Sequence, residues 1–536
     1  MEVYACTLIV LILVLLELWN RSDGFKLNIL VVIVGENINN GYYACAPFFD
    51  TGFAEVAELY PRLYANATIR YIYEPKVIDC EESSYRMVVL LGKILPLVRQ
   101  TNETMTVLLT PGCTASVLPL GDLARETKTT LVTTLGAAAL GNTRRFPTLV
   151  SSTGSAAWQP IALVPFLEKF SWTTLTFLCD RLTKVPSIGS YLSSLVCPTL
   201  KGYLGPPKYH LLYEFFDSSN ATNQSYAGIL ERAQRSSRII VVATRGDAMR
   251  DIMIAAYKLN MTSDEYVYIY LEPTSMPYLL DLLDPTGDAD SDKIVREAYR
   301  SLIVVNFLDK PWSAMEELLR KIADTARTRY NYTYNHGRNE QRNDAAMAAY
   351  EAVYVFSGLI NETSARIGGR VPSPPVIRAA SFDRLWKLPS RDVRTGSNGF
   401  RIRDISLSRY NSTSNDFEVV WVFNGSTRNI TQKTKWDDNP YLWNGRTDPP
   451  SDIPVCGFDG TLCIDRFDRD AVKKSVAGVI PVILCLAAVA GFVLHRERRR
   501  HEYDLWWSLE PTTFDYNQFS RHPSIKRRAN PAPNID

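Results

Sequence analysis

Histidine is scarce in this chain: there are five in 536 residues, and only His210 and His336 stand before the long apolar run near the C-terminus. Acid–base and metal chemistry therefore have few imidazoles to use. The sequence contains no HExxH, no GxSxG elbow and no Walker loop, and no cysteine pair has zinc-ligand spacing. These absences argue against a hydrolase, an ATPase or a metalloenzyme, and no metal is expected. Net charge is also missing. Lys and Arg number 59 against 57 Asp and Glu, for a formal +2, so no bulk field recruits nucleic acid. What remains is an ordinary globular balance, 46% hydrophobic and 22% charged, with chain enough for several domains' worth of core. No internal repeat is visible.

Long hydrophobic runs are confined to two places. Thr7 to Leu16 is an apolar stretch followed by Asn20, Arg21, Ser22 and Asp23, which reads as the core of a signal peptide spanning residues 1–24, cleaved near Gly24. It is shorter than the roughly 20 residues a bilayer requires. The second run, Ser475 to Leu494, carries no charge and reads as a transmembrane helix over residues 475–494. His495, Arg496, Glu497 and Arg498 to Arg500 follow it, while only Lys473 and Lys474 stand immediately before. The denser basic cluster places residues 495–536 in the cytoplasm. Arg496 to Arg500 and the nearby Trp506 and Trp507 would meet the lipid headgroups there.

Sequons test that topology independently. Asn66, Asn102, Asn220, Asn223, Asn260, Asn331, Asn361, Asn411, Asn424 and Asn429 each head an Asn-x-Ser/Thr triplet between the leader and the span, and the tail has none. Cysteine agrees. Outside leader and span stand Cys45, Cys80, Cys113, Cys179, Cys197, Cys456 and Cys463, which an oxidising compartment should largely pair. Their number is odd, so at least one is a free thiol or bridges to another chain. Cys179 and Cys197 can close a loop, and Cys456 and Cys463 bracket a short one.

From Lys26 onward, short β-rich runs alternate with helical patterns. Asn28 to Val34 is nearly all apolar, as a strand buried on both faces of a parallel sheet would be. Similar runs recur at Thr106 to Thr110, Leu131 to Thr134, Thr173 to Leu178, His210 to Phe216, Arg238 to Thr244, Tyr266 to Leu271 and Ser301 to Phe307. Between them fall helical stretches such as Ser84 to Val98, Asp247 to Leu259 and Asn343 to Ile367. This alternation predicts βαβ units and a doubly wound α/β fold with parallel sheets. Residues 25–455 are too many for one such core, so two lobes are expected: 25–148 with 307–375, and 149–306 with 376–455. Three crossings between two lobes make a hinged clamshell, and residues 456–474 would form a stalk.

Three segments carry a family resemblance. TPGCTAS at Thr110 to Ser116, PVCGFDGTLC at Pro454 to Cys463, and the helical stretches ELLRKIADTARTRYNYT and NDAAMAAYEAVYVFSGLINET resemble the extracellular region of receptor guanylyl cyclases and natriuretic peptide receptors. That resemblance implies the type I periplasmic-binding-protein fold. EYDLWWSLEP at Glu502 to Pro511 resembles the segment by which those cyclases enter a kinase-homology domain. Only residues 495–536 follow the span, whereas a kinase-like and a cyclase domain would each need well over ~100 residues. Neither domain, nor the family's enzyme activity, is expected in this chain.

The resemblance also implies site features. Cys80 and Cys113 match a pair that staples the first lobe. Ala243 stands where natriuretic receptors have a more distant partner for Cys179. Cys45 is left over, either as a buried thiol or as an intersubunit bridge. Gly112, Cys113, Thr114 and Ser116 lie where a strand gives way to a helix start, which offers backbone donors to an anion, and the family implies a bound chloride there. Thr114 or Ser116 acting as a simple helix cap is the alternative. Ser151, Ser152, Thr153 and Ser155 at the first crossing are candidates for lining the cleft, and Trp158 for starting the next helix by packing.

The expected function is a single-pass type I cell-surface receptor that binds an extracellular peptide or small molecule without a catalytic domain of its own, as a decoy, clearance or co-receptor. The family implies a homodimer or a heterodimer with a related receptor. Two alternatives remain: an incomplete product of a receptor guanylate cyclase, and the ligand-binding subunit of a channel-type receptor.

Overall fold

The computed structural model describes residues 25–506, apart from 37–39, 78–79, 135–137, 153–157, 181–195, 198, 219–222, 273–281, 284–287, 309–311, 336–339, 434–442, 447 and 464–465. Two compact units result, one ending at Phe458 and the other beginning at Asp459.

The first unit is built on two mainly parallel sheets. In the first, β1 (Lys26–Val34), β2 (Thr68–Glu74), β3 (Thr104–Thr110), β4 (Thr130–Thr133) and β5 (Leu149–Ser151) stand in the order β2-β1-β3-β4-β5, all parallel. Both faces are covered, as the continuous apolar run in β1 demands. Leu27, Ile29, Val31 and Ile33 enter one core and Leu30, Val32 and Val34 the other, because successive side chains of a strand point to opposite faces. The first face is covered by α1 (Tyr42–Leu59), and the second by α2 (Cys80–Ile94) and α3 (Thr114–Glu126).

The second sheet begins with α4 (Trp158–Lys169) leading to β6 (Thr174–Asp180) and β7 (His210–Phe216). Next come α5 (Asn223–Gln234), β8 (Ile239–Ala243), α6 (Gly246–Lys258), β9 (Val267–Leu271), α7 (Ala289–Ala298) and β10 (Leu302–Leu308). The chain then returns to the first sheet as α8 (Glu316–Tyr330), α9 (Asp344–Arg366) and α10 (Pro374–Ala380). There α8 and α9 pack on α1. Three short antiparallel strands follow, β11 (Leu385–Lys387), β12 (Asp392–Thr395) and β13 (Arg401–Ile402). Finally β14 (Asp404–Asn411), β15 (Asp416–Asn424) and β16 (Asn429–Gln432) extend the second sheet, giving β16-β15-β14-β10-β9-β8-β6-β7.

Two details differ from the sequence reading. Ile377, Trp386 and Val393 belong to the core of the first sheet, so the third crossing lies at Arg401–Asp404 rather than at the Gly369–Pro375 stretch. The glycines there end a helix instead of a lobe. The other difference is the antiparallel extension β14–β16, where β14 runs against β10 on an otherwise parallel sheet.

The C-terminal end of this unit is pinned beneath the second sheet. Trp172 Nε1 donates to Pro450 O at 2.8 Å. The Asp452 carboxylate accepts the backbone N–H groups of Thr173 and Thr174 at 2.6 and 2.7 Å, and the Arg238 guanidinium lies 5.5 Å from the Phe458 ring centroid. The second unit contains α11 (Arg466–Trp506), of which Lys473–Arg500 is long and apolar enough to cross a membrane, with mean hydropathy 2.7 over its most apolar stretch.

Candidate functional site

In an open parallel sheet the carboxyl ends of the strands form the binding edge, at the point where the strand order reverses. In the first sheet that point lies between β1 and β3, and the loop after β3 carries Gly112 and Cys113. Gly112 is tightly held. Its N–H donates to Thr110 Oγ1 at 3.1 Å, and a Cβ there would stand 2.7 Å from Ser116 Oγ and 3.0 Å from Thr110 Oγ1, so only glycine fits. Cys113 is the N-cap of α3 and makes no side-chain cap bond. Ser116 turns back to donate to Cys113 O at 2.8 Å rather than capping the helix. Gly112 N–H and Ser116 O–H are thus committed internally, and an anion here would be held by the first-turn backbone N–H groups of α3. The side chain of Thr114 lies outside the described residues.

Ser151 ends β5 and Ser152 follows it, two strands away, roughly 10 Å along the same edge. Ser152 is buried, and its hydroxyl donates to Ala348 O in α9 at 3.2 Å. It binds the crossing to the helix instead of lining a cleft. Thr153 and Ser155 lie outside the described residues. Across the crossings, the carboxyl edge of the second sheet carries buried acids. Asp180 accepts from Ser218 N–H at 3.1 Å and from Thr244 Oγ1 at 2.6 Å. Glu272 accepts from Asn306 Nδ2 at 2.7 Å, while Gln159 Nε2 donates to the backbone oxygen of Glu272.

A cluster of buried charge sits at the hinge. Asp344 and Glu351 are seven residues apart, two turns of α9, and so share a face. Arg401, in β13, and Arg403, between β13 and β14, are two residues apart and both turn toward that face. Arg391 Nε lies 2.6 Å from Glu351 and its Nη2 2.5 Å from Asp344. Arg401 reaches Glu351 at 2.7 Å and Arg403 reaches Asp344 at 2.6 Å. Glu351 is fully buried and the three guanidiniums nearly so. Burial pushes the Arg391 pKa down, but the charges of Asp344 and Glu351 outweigh it and hold that pKa above the usual arginine value. Arg403 also stacks 4.0 Å over Phe307 at the second crossing, and Trp158 Nε1, at the end of the first, donates to Arg401 O at 2.9 Å. All three crossings therefore converge on the first two turns of α9. None of these charged residues was singled out from the sequence; the usable signals were two acids at helical spacing in an otherwise apolar helix and the Arg-x-Arg of FRIRD.

A family model described as the receptor family ligand binding region matches residues 63–387, which takes in strands of both sheets and two crossings. The chain belongs to this receptor family. Among curated relatives, this receptor is 24% identical over 450 residues to receptor-type guanylate cyclase gcy-13 of Caenorhabditis elegans, covering 76% of the chain and 40% of the relative. It is 27% identical over 240 residues to receptor-type guanylate cyclase gcy-28 of the same organism, covering 44% and 18%. Human atrial natriuretic peptide receptor 2 is 22% identical over 413 residues, covering 73% and 37%. The chain thus spans less than half the length of each of these relatives, and the matched part is their ligand-binding portion.

The receptor's cysteines divide clearly. Cys179 and Cys197 are joined, with an S–S distance of 2.03 Å, and Ala243 lies beside Cys179 in the sheet register. Cys113, Cys456 and Cys463 are disulfide-bonded; the side chain of Cys80 lies outside the described residues. Cys45 is a thiol with no exposed surface, and burial pushes its pKa up, so it cannot reach a second chain. Asn66, Asn102, Asn260, Asn331, Asn361 and Asn429 are exposed, and Asn411 and Asn424 half-buried. The side chains of Asn220 and Asn223 lie outside the described residues.

Proposed function

We propose that this receptor captures an extracellular peptide or small molecule between its two lobes and responds by changing their angle. The reading is carried by one observation: three chain crossings, tied by buried charge to a single helix, join two sheets whose carboxyl edges both lie at the crossings. Gly112, the first turn of α3 and the buried acids of the second sheet are the groups a ligand would meet, with a small anion such as chloride at the helix start. Lys473–Arg500 would anchor the receptor as a single-pass type I protein, with the sequons and disulfides on the outer side. In this reading these 536 residues bind but do not catalyse, and act as a decoy, clearance or co-receptor. Cells expressing them alone, exposed to ligands selected by thermal shift of the full chain, should show no rise in cyclic GMP above untransfected cells. A ligand-dependent rise would defeat the reading.

A second reading, that the residues belong to a receptor guanylate cyclase, is favoured by the cyclases among its relatives. Transcript sequence continuing in frame beyond Asp536 into kinase-like sequence would support it.

Pairing with a second copy is part of the proposal. Tyr85, Val88 and Val89 expose 68%, 58% and 61% of their surface on one side of α2, and at i, i+3 and i+4 they form a continuous stripe. Such a patch on a secreted surface calls for a partner. Replacing Val88 and Val89 together by Glu should convert a dimer to a monomer in sedimentation of the detergent-solubilised chain, leaving the melting temperature within about 2 °C. A dimer that persists would remove this face from consideration.

A further inference from the structure

At the amino-terminal edge of the first sheet, opposite the binding edge, lies an open concavity of about 790 Å³. Two of its lining residues are sequon asparagines. Asn66 enters from just before β2 and Asn102 from just before β3, and with β1 between them the two strand starts are about 10 Å apart. Phe25 and Lys26 form its floor at the start of β1, and Gly368, Gly369 and Arg370 form a wall after α9.

We infer that this concavity is a cradle for the receptor's own N-linked sugars, received from Asn66 and Asn102. The inference rests on reading both residues as glycosylated. In that modification Nδ2 of the asparagine bonds to the first sugar's anomeric carbon, displacing the pyrophosphate carrier of a lipid-linked oligosaccharide as the amide gives up a proton.

The lining suits a carbohydrate. Lys26, Glu103 and Arg370 are exposed, and none of the three forms an ion pair among the described residues. Arg370 Nε donates to Ile367 O at 3.0 Å, while its Nη groups, the Lys26 ammonium and the Glu103 carboxylate are left for sugar hydroxyls, and Phe25 supplies an aromatic face. The wall is bare. Gly368 and Gly369 have φ of +71° and +79°, which disfavours any side chain there, and among the described residues nothing lies within 4 Å of where a Cβ would stand. A ring can therefore approach the backbone closely. A free sugar would bind weakly at so polar a surface, but a tethered one is present at an effective concentration in the millimolar range, so weak contacts suffice. The same tether disfavours a protein partner, which two glycans at the rim would obstruct.

The docked sugar should protect the turn it covers. Gly369 N–H donates to Ser364 O at 2.9 Å and Gly368 N–H to Ala365 O at 3.3 Å, and these two amides report directly on opening of the wall. The experiment compares the full chain, produced in a glycosylating cell, with the variant Asn66→Gln/Asn102→Gln and with Asn361→Gln, whose asparagine lies on α9 and outside the concavity. Glycopeptide mass spectrometry first establishes whether Asn66 and Asn102 carry sugar. Hydrogen exchange then reads the turn, and about tenfold faster exchange at Gly368 and Gly369 is expected in the double variant, with none in Asn361→Gln. Trimming the native chain to single sugars should reproduce the faster exchange without any substitution. If both asparagines are occupied and exchange is unchanged in both the variant and the trimmed chain, there is no cradle. If neither is occupied, the glycosylation reading itself fails and the cradle with it.

Discussion

Replacing Glu351 by Gln should be among the most damaging single changes in this receptor, lowering unfolding free energy by about 3–5 kcal/mol. Glu351 is fully buried and accepts from Arg391 and Arg401 at 2.6 and 2.7 Å. The amide keeps the shape but removes the charge, so two guanidiniums buried to within 4% of their surface lose the group that neutralises one of them. Asp344 cannot serve all three arginines. The penalty comes from the stranded charge rather than from the worth of the pair, because buried ion pairs often do little better than well-packed apolar groups. That distinction can be measured. Adding Arg401→Met to Glu351→Gln should recover part of the loss, and urea titration of the full chain would show it. A Glu351→Gln variant within 1 kcal/mol of the parent, or a double variant that loses the sum of the two single effects, would refute this account of the hinge.

Asp452→Ala is the second large effect expected. Its carboxylate accepts two backbone N–H groups at 2.6 and 2.7 Å and the Thr173 hydroxyl at 3.3 Å, at the point where the chain leaves the second sheet. Truncation leaves those two N–H groups at the foot of β6 without their acceptor, and a loss of about 3 kcal/mol follows from hydrogen bonds of this charged kind. The loss should also be local. Amides of residues 449–458 should exchange faster in Asp452→Ala, while those of β1 and β3 in the first sheet stay protected. Asp452→Asn retains one acceptor oxygen and should fall between the two. If β1 and residues 449–458 lose protection together, the pin is global and has no special relation to the exit segment.

Much of the architecture was legible because burial on both faces writes itself as continuous apolar sequence. Asn28 to Val34 and Arg238 to Thr244 were placed within two residues by that signal alone. It failed for β2, whose Ile69 and Arg70 are exposed on a sheet edge, so that the strand does not read as buried. It failed again for β14 to β16, where alternating polar residues in an antiparallel pair dilute the run. The site was less legible than the fold. Gly112 and Ser116 were found because a strand–helix junction has known donors, yet their hydrogen bonds close on themselves. Ser152 looked like a cleft residue from its neighbours in sequence, but α9 passes near enough to take its hydroxyl. The hinge charges were hidden for a different reason. Arg391, Arg401 and Arg403 look like solvated surface in any local window, and only the third crossing, lying later than the Gly-rich stretch suggested, brings them against Asp344 and Glu351.

At that third crossing a single residue, Arg403, separates β13 from β14. A join this short has no slack to extend, so the lobes cannot slide apart along it and are left with rotation. β14 then works as a lever arm: its eight residues reach about 26 Å from the join at the usual strand rise. A twist of about 10° at Arg403 would carry Asn411, at the far end, through about 4–5 Å on that geometry. A small change of angle at the hinge is thereby delivered as a displacement of ångströms on the far side of the second lobe.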